Sequence, residues 1–168
     1  MEIDLIKHTS EWAMVDAIQG KLMLAFGLVL AVAVFFILKG ENPILKGMLI
    51  PIVLATLINL GYGGFLMFSR PNHAPKTAEI ANTSMGDAVN QELVKARRDD
   101  WNYSMIKRIW PVIILVCAIL MFFVSQEYYR GLIIGFIGFG FYGLVIDSML
   151  HYNLKPYLNT LIKLSETL

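Results

Sequence analysis

The chain has 168 residues, 57% of them hydrophobic and 16% charged, where soluble domains average about 25% charged. Its formal net charge of +1 offers no basic surplus for nucleic acid, and its single cysteine, Cys117, excludes an intrachain disulfide and quinone-linked dithiol chemistry. What is left is one domain with more apolar mass than a soluble fold can cover.

The charges cluster so as to leave four charge-free runs, 22–38, 47–69, 109–126 and 131–146. A hydrocarbon core of roughly 30 Å needs about 20 helical residues at ~1.5 Å each. With flanking residues such as Ser148, Met149 and Leu150 the runs make four spans, 20–39, 44–69, 106–126 and 129–150. They are apolar all round, whereas a soluble bundle would be striped.

Before the first span, Glu2, Asp4, Glu11 and Asp16 stand where a secretory signal would be basic, so the first span is expected to remain as an anchor. Thr9 or Ser10 is expected to cap a helix, with Trp12, Val15 and Ile18 as an interfacial stripe and Trp12 as an anchor in the headgroups. Lys39, Gly40, Glu41, Asn42 and Pro43 combine a helix stop with a helix start, which predicts a tight hairpin. In the second span Pro51 predicts a kink. Thr56, Asn59 and Gly63 share a stripe at i, i+3 and i+7; an asparagine in lipid needs a partner, so Asn59 is expected to hydrogen-bond across helices.

Residues 70–105 are the substantial hydrophilic stretch. Its opening, Arg70, Pro71, Asn72, His73, Ala74 and Pro75, reads as extended or turned. From Ser84 a charged helix is predicted to run into the third span, with Val89, Leu93 and Ala96 as a weak apolar stripe and Lys95 paired with Asp99 at i,i+4. Glu92, Asp99 and Asp100 are expected on its solvated side, and Trp101, Tyr103 and Trp110 in the headgroup layer. The connection 125–130 is short enough to require a second antiparallel hairpin.

In the fourth span Gly131, Gly135 and Gly138 share one face, and Gly140 and Gly143 share the other with Asp147 and His151. Glycine faces let helix backbones approach in lipid. Asp147 is the one acid within reach of a span interior, which makes it and His151 the ionisable candidates; the plainer reading pairs Asp147 with His151, Lys155 or Lys21. The tail, 153–168, places Leu154, Leu158, Leu161 and Ile162 opposite Lys155, Asn159, Lys163 and Glu166. It reads as an amphipathic helix lying on the membrane or on the long loop.

Eleven of the lysines and arginines fall in the N-terminal segment, the long loop and the tail, and three (Lys39, Lys46 and Arg130) on the opposite side. That asymmetry puts both termini and the loop in the cytoplasm.

His8 with Glu11 and Asp147 with His151 have the spacing to meet at one metal, but HExxH, phosphate-loop and nucleophile-elbow patterns are absent, and no histidine lies mid-span to ligate a haem. No metal or cofactor is expected, and Cys117 reads as a packing residue.

The expectation is an all-α polytopic membrane protein forming a single domain, 1–168, with four transmembrane helices as two antiparallel hairpins, a cytoplasmic helix between spans 2 and 3, and an amphipathic C-terminal helix. Function is expected to be non-enzymatic, in the inner membrane of a bacterium: an accessory subunit or immunity-type inhibitor that contacts another membrane protein, or a second copy, through Asn59, Gly63, Gly131, Gly135 and Gly138. The rivals are a small oligomeric channel or transporter with Asn59 and Asp147 on the path, and a metal-dependent membrane enzyme.

Overall fold

The computed structural model describes the backbone of residues 2–168 and the side chains of 4–168. It is all-helical: α1 spans Glu2–Lys39, α2 Pro43–Ser69, α3 His73–Thr83, α4 Met85–Met121 and α5 Glu127–Ser165, with a 3-10 turn at Arg70–Asn72. Four helices, α1, α2, α4 and α5, are long and apolar enough to cross a membrane. At ~1.5 Å per residue the 38 residues of α1, the 37 of α4 and the 39 of α5 each reach about twice the depth of a hydrocarbon core. The molecule therefore has an apolar half and a polar half built on the same helices.

Local signals set several helix ends. Asn42 Oδ1 accepts from the amides of Ile44 (2.9 Å) and Leu45 (3.2 Å), with Pro43 in the first turn, where its missing amide is no loss. Ser84 Oγ accepts from the amide of Asp87 at 3.3 Å and starts α4.

Other expectations are corrected. Helix α1 already runs from Glu2, so Thr9 is not a cap; it is buried and its hydroxyl donates to the Leu5 carbonyl at 2.8 Å. Trp12 is no headgroup anchor either: it is buried, while Val15 and Ile18 point outward. The stretch 70–75 is helical rather than extended, because Pro71 and Pro75 both fall in first turns, where no amide donor is needed. The tail is the continuation of α5 through Pro156. Of its two expected resting places it takes the long loop: its apolar face, with Leu154, Leu158 and Leu161 buried, meets Val89, Leu93 and Ala96 of α4 as well as α1.

The apolar half is assembled by glycines. A side chain at Gly20 would strike the backbone of Gly63 and Met67 on α2, and one at Gly63 would meet Met23 on α1. On the next interface, Gly131 of α5 lies against the Ile44 carbonyl, Gly47 of α2 against the Tyr128 carbonyl, and Gly135 against Pro51. Beyond it, Gly140 and Gly143 receive Ile114 and Trp110 of α4. The apolar half of α4 rests chiefly on α5, and its most hydrophobic eighteen-residue stretch has no buried residue.

The polar half has a side-chain core. Leu5, Trp12 and Ala13 of α1 meet Val89, Leu93 and Ala96 of α4 and Leu154, Tyr157, Leu158 and Leu161 of α5, with Ala81 of α3 closing one end.

Candidate functional site

The same helical period that buries Val89, Leu93 and Ala96 also buries Glu92, three residues after Val89. Glu92 is thus not on a solvated face. Its Oε2 accepts from Tyr157 Oη at 2.8 Å and from His73 Nε2 at 2.8 Å, and its Oε1 accepts from Thr77 Oγ1 at 3.2 Å. Burial works to raise this carboxyl, but the hydrogen bonds from His73 and Tyr157 and the charges of His73 and Lys95 outweigh it and hold it below the usual carboxylate range. Its three partners come from two other elements: His73 and Thr77 from α3, Tyr157 from α5.

Around this carboxylate stands a stack of rings and cations. Trp12 lies flat on Tyr157, with ring centroids 4.7 Å apart and planes 5° from parallel, and meets His73 edge-on at 5.6 Å. Arg70 covers the Trp12 ring with its guanidinium carbon 4.3 Å from the centroid. Arg70 Nε is also 3.1 Å from Asp16 Oδ2, and both side chains are buried, at 8% and 2% exposure. Burial pushes the Asp16 carboxyl up to about 6, with Asp99 in the same sense and Arg70 and His73 opposing.

The Lys95 ammonium lies 3.1 and 3.3 Å from the two ring nitrogens of His73, against the ring instead of in an ion pair with Asp99. Burial, with Arg70 and Arg98 nearby, pulls it below the usual lysine value, while Glu92 and Asp99 act the other way.

The expected site residues fall into three groups. Asn59, fully buried, donates from Nδ2 to the Ala55 carbonyl at 2.7 Å and accepts a short hydrogen bond from Tyr142 Oη on α5. Gly63, Gly131 and Gly135 sit at helix contacts, but Gly138 does not: a Cβ there would meet nothing within 4 Å. Asp147 and His151 do not pair with each other. Asp147 Oδ2 accepts from Trp110 Nε1 at 2.6 Å, and His151 Nε2 donates to Asp100 Oδ1 at 2.6 Å, where Lys155 Nζ joins at 2.7 Å.

His8 contacts Glu11 at 3.4 Å on the surface. Among the described residues no three His, Cys, Asp or Glu side chains are gathered to hold a metal, so the set His8, Glu11, Asp147 and His151 does not assemble.

A cavity of about 480 Å3 adjoins this network, between the end of α2, the start of α3 and the middle of α4. Arg70, His73, Lys95, Arg98, Asp99 and Asp147 line it together with Tyr62, Tyr103, Phe65 and Ile106. Tyr62 and Tyr103, hydroxyl to hydroxyl at 3.1 Å, link α2 to α4 beside it.

Sequence reasoning missed Asp16, Trp12, Arg70, Glu92 and Tyr157 as a group. A signal was present: Leu5, Thr9, Trp12, Ala13 and Asp16 follow one helical stripe, as do Leu154, Tyr157, Leu158 and Leu161. What hid it was the assumption that charged and amphipathic residues outside the spans face water.

No protein-family model, curated protein or solved structure matches the chain.

Proposed function

We propose that this chain is a non-enzymatic protein of a bacterial inner membrane that works by packing against another membrane protein, as an accessory subunit or an immunity-type inhibitor. In this reading the four spans form two antiparallel hairpins, α1 with α2 and α4 with α5, and the polar half lies in the cytoplasm with both termini. The contact order supports the hairpins, since Gly20 meets Gly63 and Met67 while Gly27 meets Asn59 and Leu60, a descending order along α2. Lysine and arginine placement supports the sidedness.

The observation that carries the reading is the position of α4. Its apolar stretch leans on α5, and Val112, Leu115, Val116, Ile119 and Leu120 on it are exposed. A span with one helical neighbour has room for a second, from a partner or another copy. The channel alternative draws less support, because Asn59 and Asp147 are each already engaged by an aromatic donor, Tyr142 and Trp110, and a conduction path calls for repeated polar groups open to water.

Purification of the tagged chain from its native membrane at native expression tests the proposal. The expected result is a stoichiometric membrane partner, or a defined oligomer, that is lost when Val116→Trp is placed on the outer face of α4. Recovery of the chain alone as a monomer would overturn it.

A further inference from the structure

The cavity between α2, α3 and α4 carries a chemistry that helix packing does not use. Arg70 is its decisive group. The side chain is 8% exposed, yet among the described residues it makes no hydrogen bond. Its Nε is enclosed and stands 3.1 Å from Asp16 Oδ2 without hydrogen-bond alignment, and the guanidinium covers Trp12. A guanidinium has five N–H donors in a planar fork. Nε is the one Arg70 nitrogen that is both sealed and unmet, and the side chain lines the cavity. Buried donors of a charged group left without acceptors are costly, and the fork shape is suited to two oxygens of one anion.

The rest of the lining narrows the ligand. Lys95 and Arg98 add two cations, while Asp99 and Asp147 bring two carboxylates, of which Asp147 is already held by Trp110. With Asp16 beside Arg70 the three cations and three carboxylates are close to balanced, which disfavours a polyphosphate and suits at most a singly charged phosphodiester. Two phenols, Tyr62 and Tyr103, stand beside it, and Phe65 and Ile106 belong to the stretches of α2 and α4 read as spanning. Headgroup-level cations above an apolar exit suit a molecule that is an anion at one end and an alkyl chain at the other.

We infer that this cavity binds the phosphate of a membrane phospholipid, with Arg70, Lys95 and Arg98 on its oxygens and the acyl chains leaving along Phe65 and Ile106. The inference concerns the single chain and stands apart from the partner proposed above.

Native mass spectrometry of the delipidated chain in detergent tests it, with titration of phosphatidylglycerol, of diacylglycerol and of inorganic phosphate. The expected result is one phosphatidylglycerol per chain, no comparable diacylglycerol adduct, and no displacement by equimolar phosphate. Arg98→Gln, at an exposed position, should weaken the adduct ~10-fold, the loss of one charged hydrogen bond. Lys163→Gln, far along α5, should leave it unchanged.

Arg70→Gln alone strands Asp16, so the pair Asp16→Asn with Arg70→Gln is used and its thermal melt recorded; a folded pair variant should lose the adduct. Equal binding of diacylglycerol, or equal competition by inorganic phosphate, would overturn the lipid assignment. Wild-type affinity in Arg98→Gln or in the folded pair variant would overturn the site.

Discussion

At Gly131 the α5 backbone rests on the Ile44 carbonyl of α2 with no side chain between them, whereas at Glu92 of α4 two further elements, α3 and α5, converge on one carboxylate through His73, Thr77 and Tyr157. The first contact gains from close van der Waals approach, since lipid removes any hydrophobic drive between spans. The second gains from burying Leu154, Leu158 and Leu161 against α1 and α4, and its polar groups are tolerated because they satisfy one another. One set of helices thus uses backbone proximity where its surroundings are apolar and side-chain complementarity where they are wet.

The sharpest way to break this comparison is Glu92→Ala. Removing one partner from a buried charged cluster costs about 3–5 kcal/mol; here His73 loses its acceptor, while Tyr157 is left with Thr9 and Thr77 with the His73 carbonyl. We expect a large fall in the melting temperature in detergent. Protease cleavage within 70–105 should appear while the spans stay protected, and uniform loss of both halves would show that they are not separable.

Next in size is a pair of glycine substitutions on one helix. Gly131→Ala drives a methyl into the Ile44 carbonyl, which no rotamer change relieves, and overpacking of this kind costs about 1–3 kcal/mol. Gly138→Ala meets nothing within 4 Å and should change stability by less than about 0.5 kcal/mol, the range of uncommitted positions. Thermal melts of the two variants check this; equal effects would mean that the α2–α5 contact is not close.

How much of this was legible in the residues differs between the halves. The four long apolar helices followed from charge-free runs, and Gly63, Gly131 and Gly135, singled out by small-residue spacing, sit where helices of the chain meet. Gly138 lies on the same side as Gly135, lining a cavity with Met48 and Pro51, but the helices are too far apart there for the close contact that Gly135 makes. The polar half was less legible because its burial depends on which helices extend past the membrane and meet. Glu92 and Trp12 become core residues only when α5 runs on through Pro156 to deliver Tyr157; the helical stripes are visible in the residues, but not which stripe meets which.

The pH dependence sharpens the contrast further. Asp16, pushed up to about 6 against an ordinary 3.8, binds its proton more tightly folded than unfolded. Its contribution is therefore fully present below about pH 4 and is lost as pH rises toward 6, a change on the order of 3 kcal/mol. Glu92, held low, has the opposite sign: its contribution is present above the unfolded value and lost as pH falls through the folded one. Asp16→Asn should remove the decline between pH 4 and 6, seen as a flatter or rising melting temperature across that window. An unchanged slope would mean that Asp16 does not titrate there.

One chemical change made once in each half compares the two most directly. Tyr157→Phe removes a hydroxyl that donates to the Glu92 carboxylate at 2.8 Å and lies 3.1 Å from Thr9 Oγ1. A hydrogen bond to a charged group is worth about 1.5–3 kcal/mol, and the ring itself stays stacked on Trp12. Tyr142→Phe removes a hydroxyl that donates to Asn59 Oδ1 between α5 and α2, where bonds between spans average about 0.6 kcal/mol because the separated helices find other partners within the bilayer. The ring again keeps its place, 5.2 Å from Phe26. The melting temperature should therefore fall roughly two- to fivefold further for Tyr157→Phe than for Tyr142→Phe. The reverse order would mean that Asn59 holds the apolar half together more strongly than its glycines do, and that the division of labour between backbone and side-chain contacts does not follow the membrane boundary.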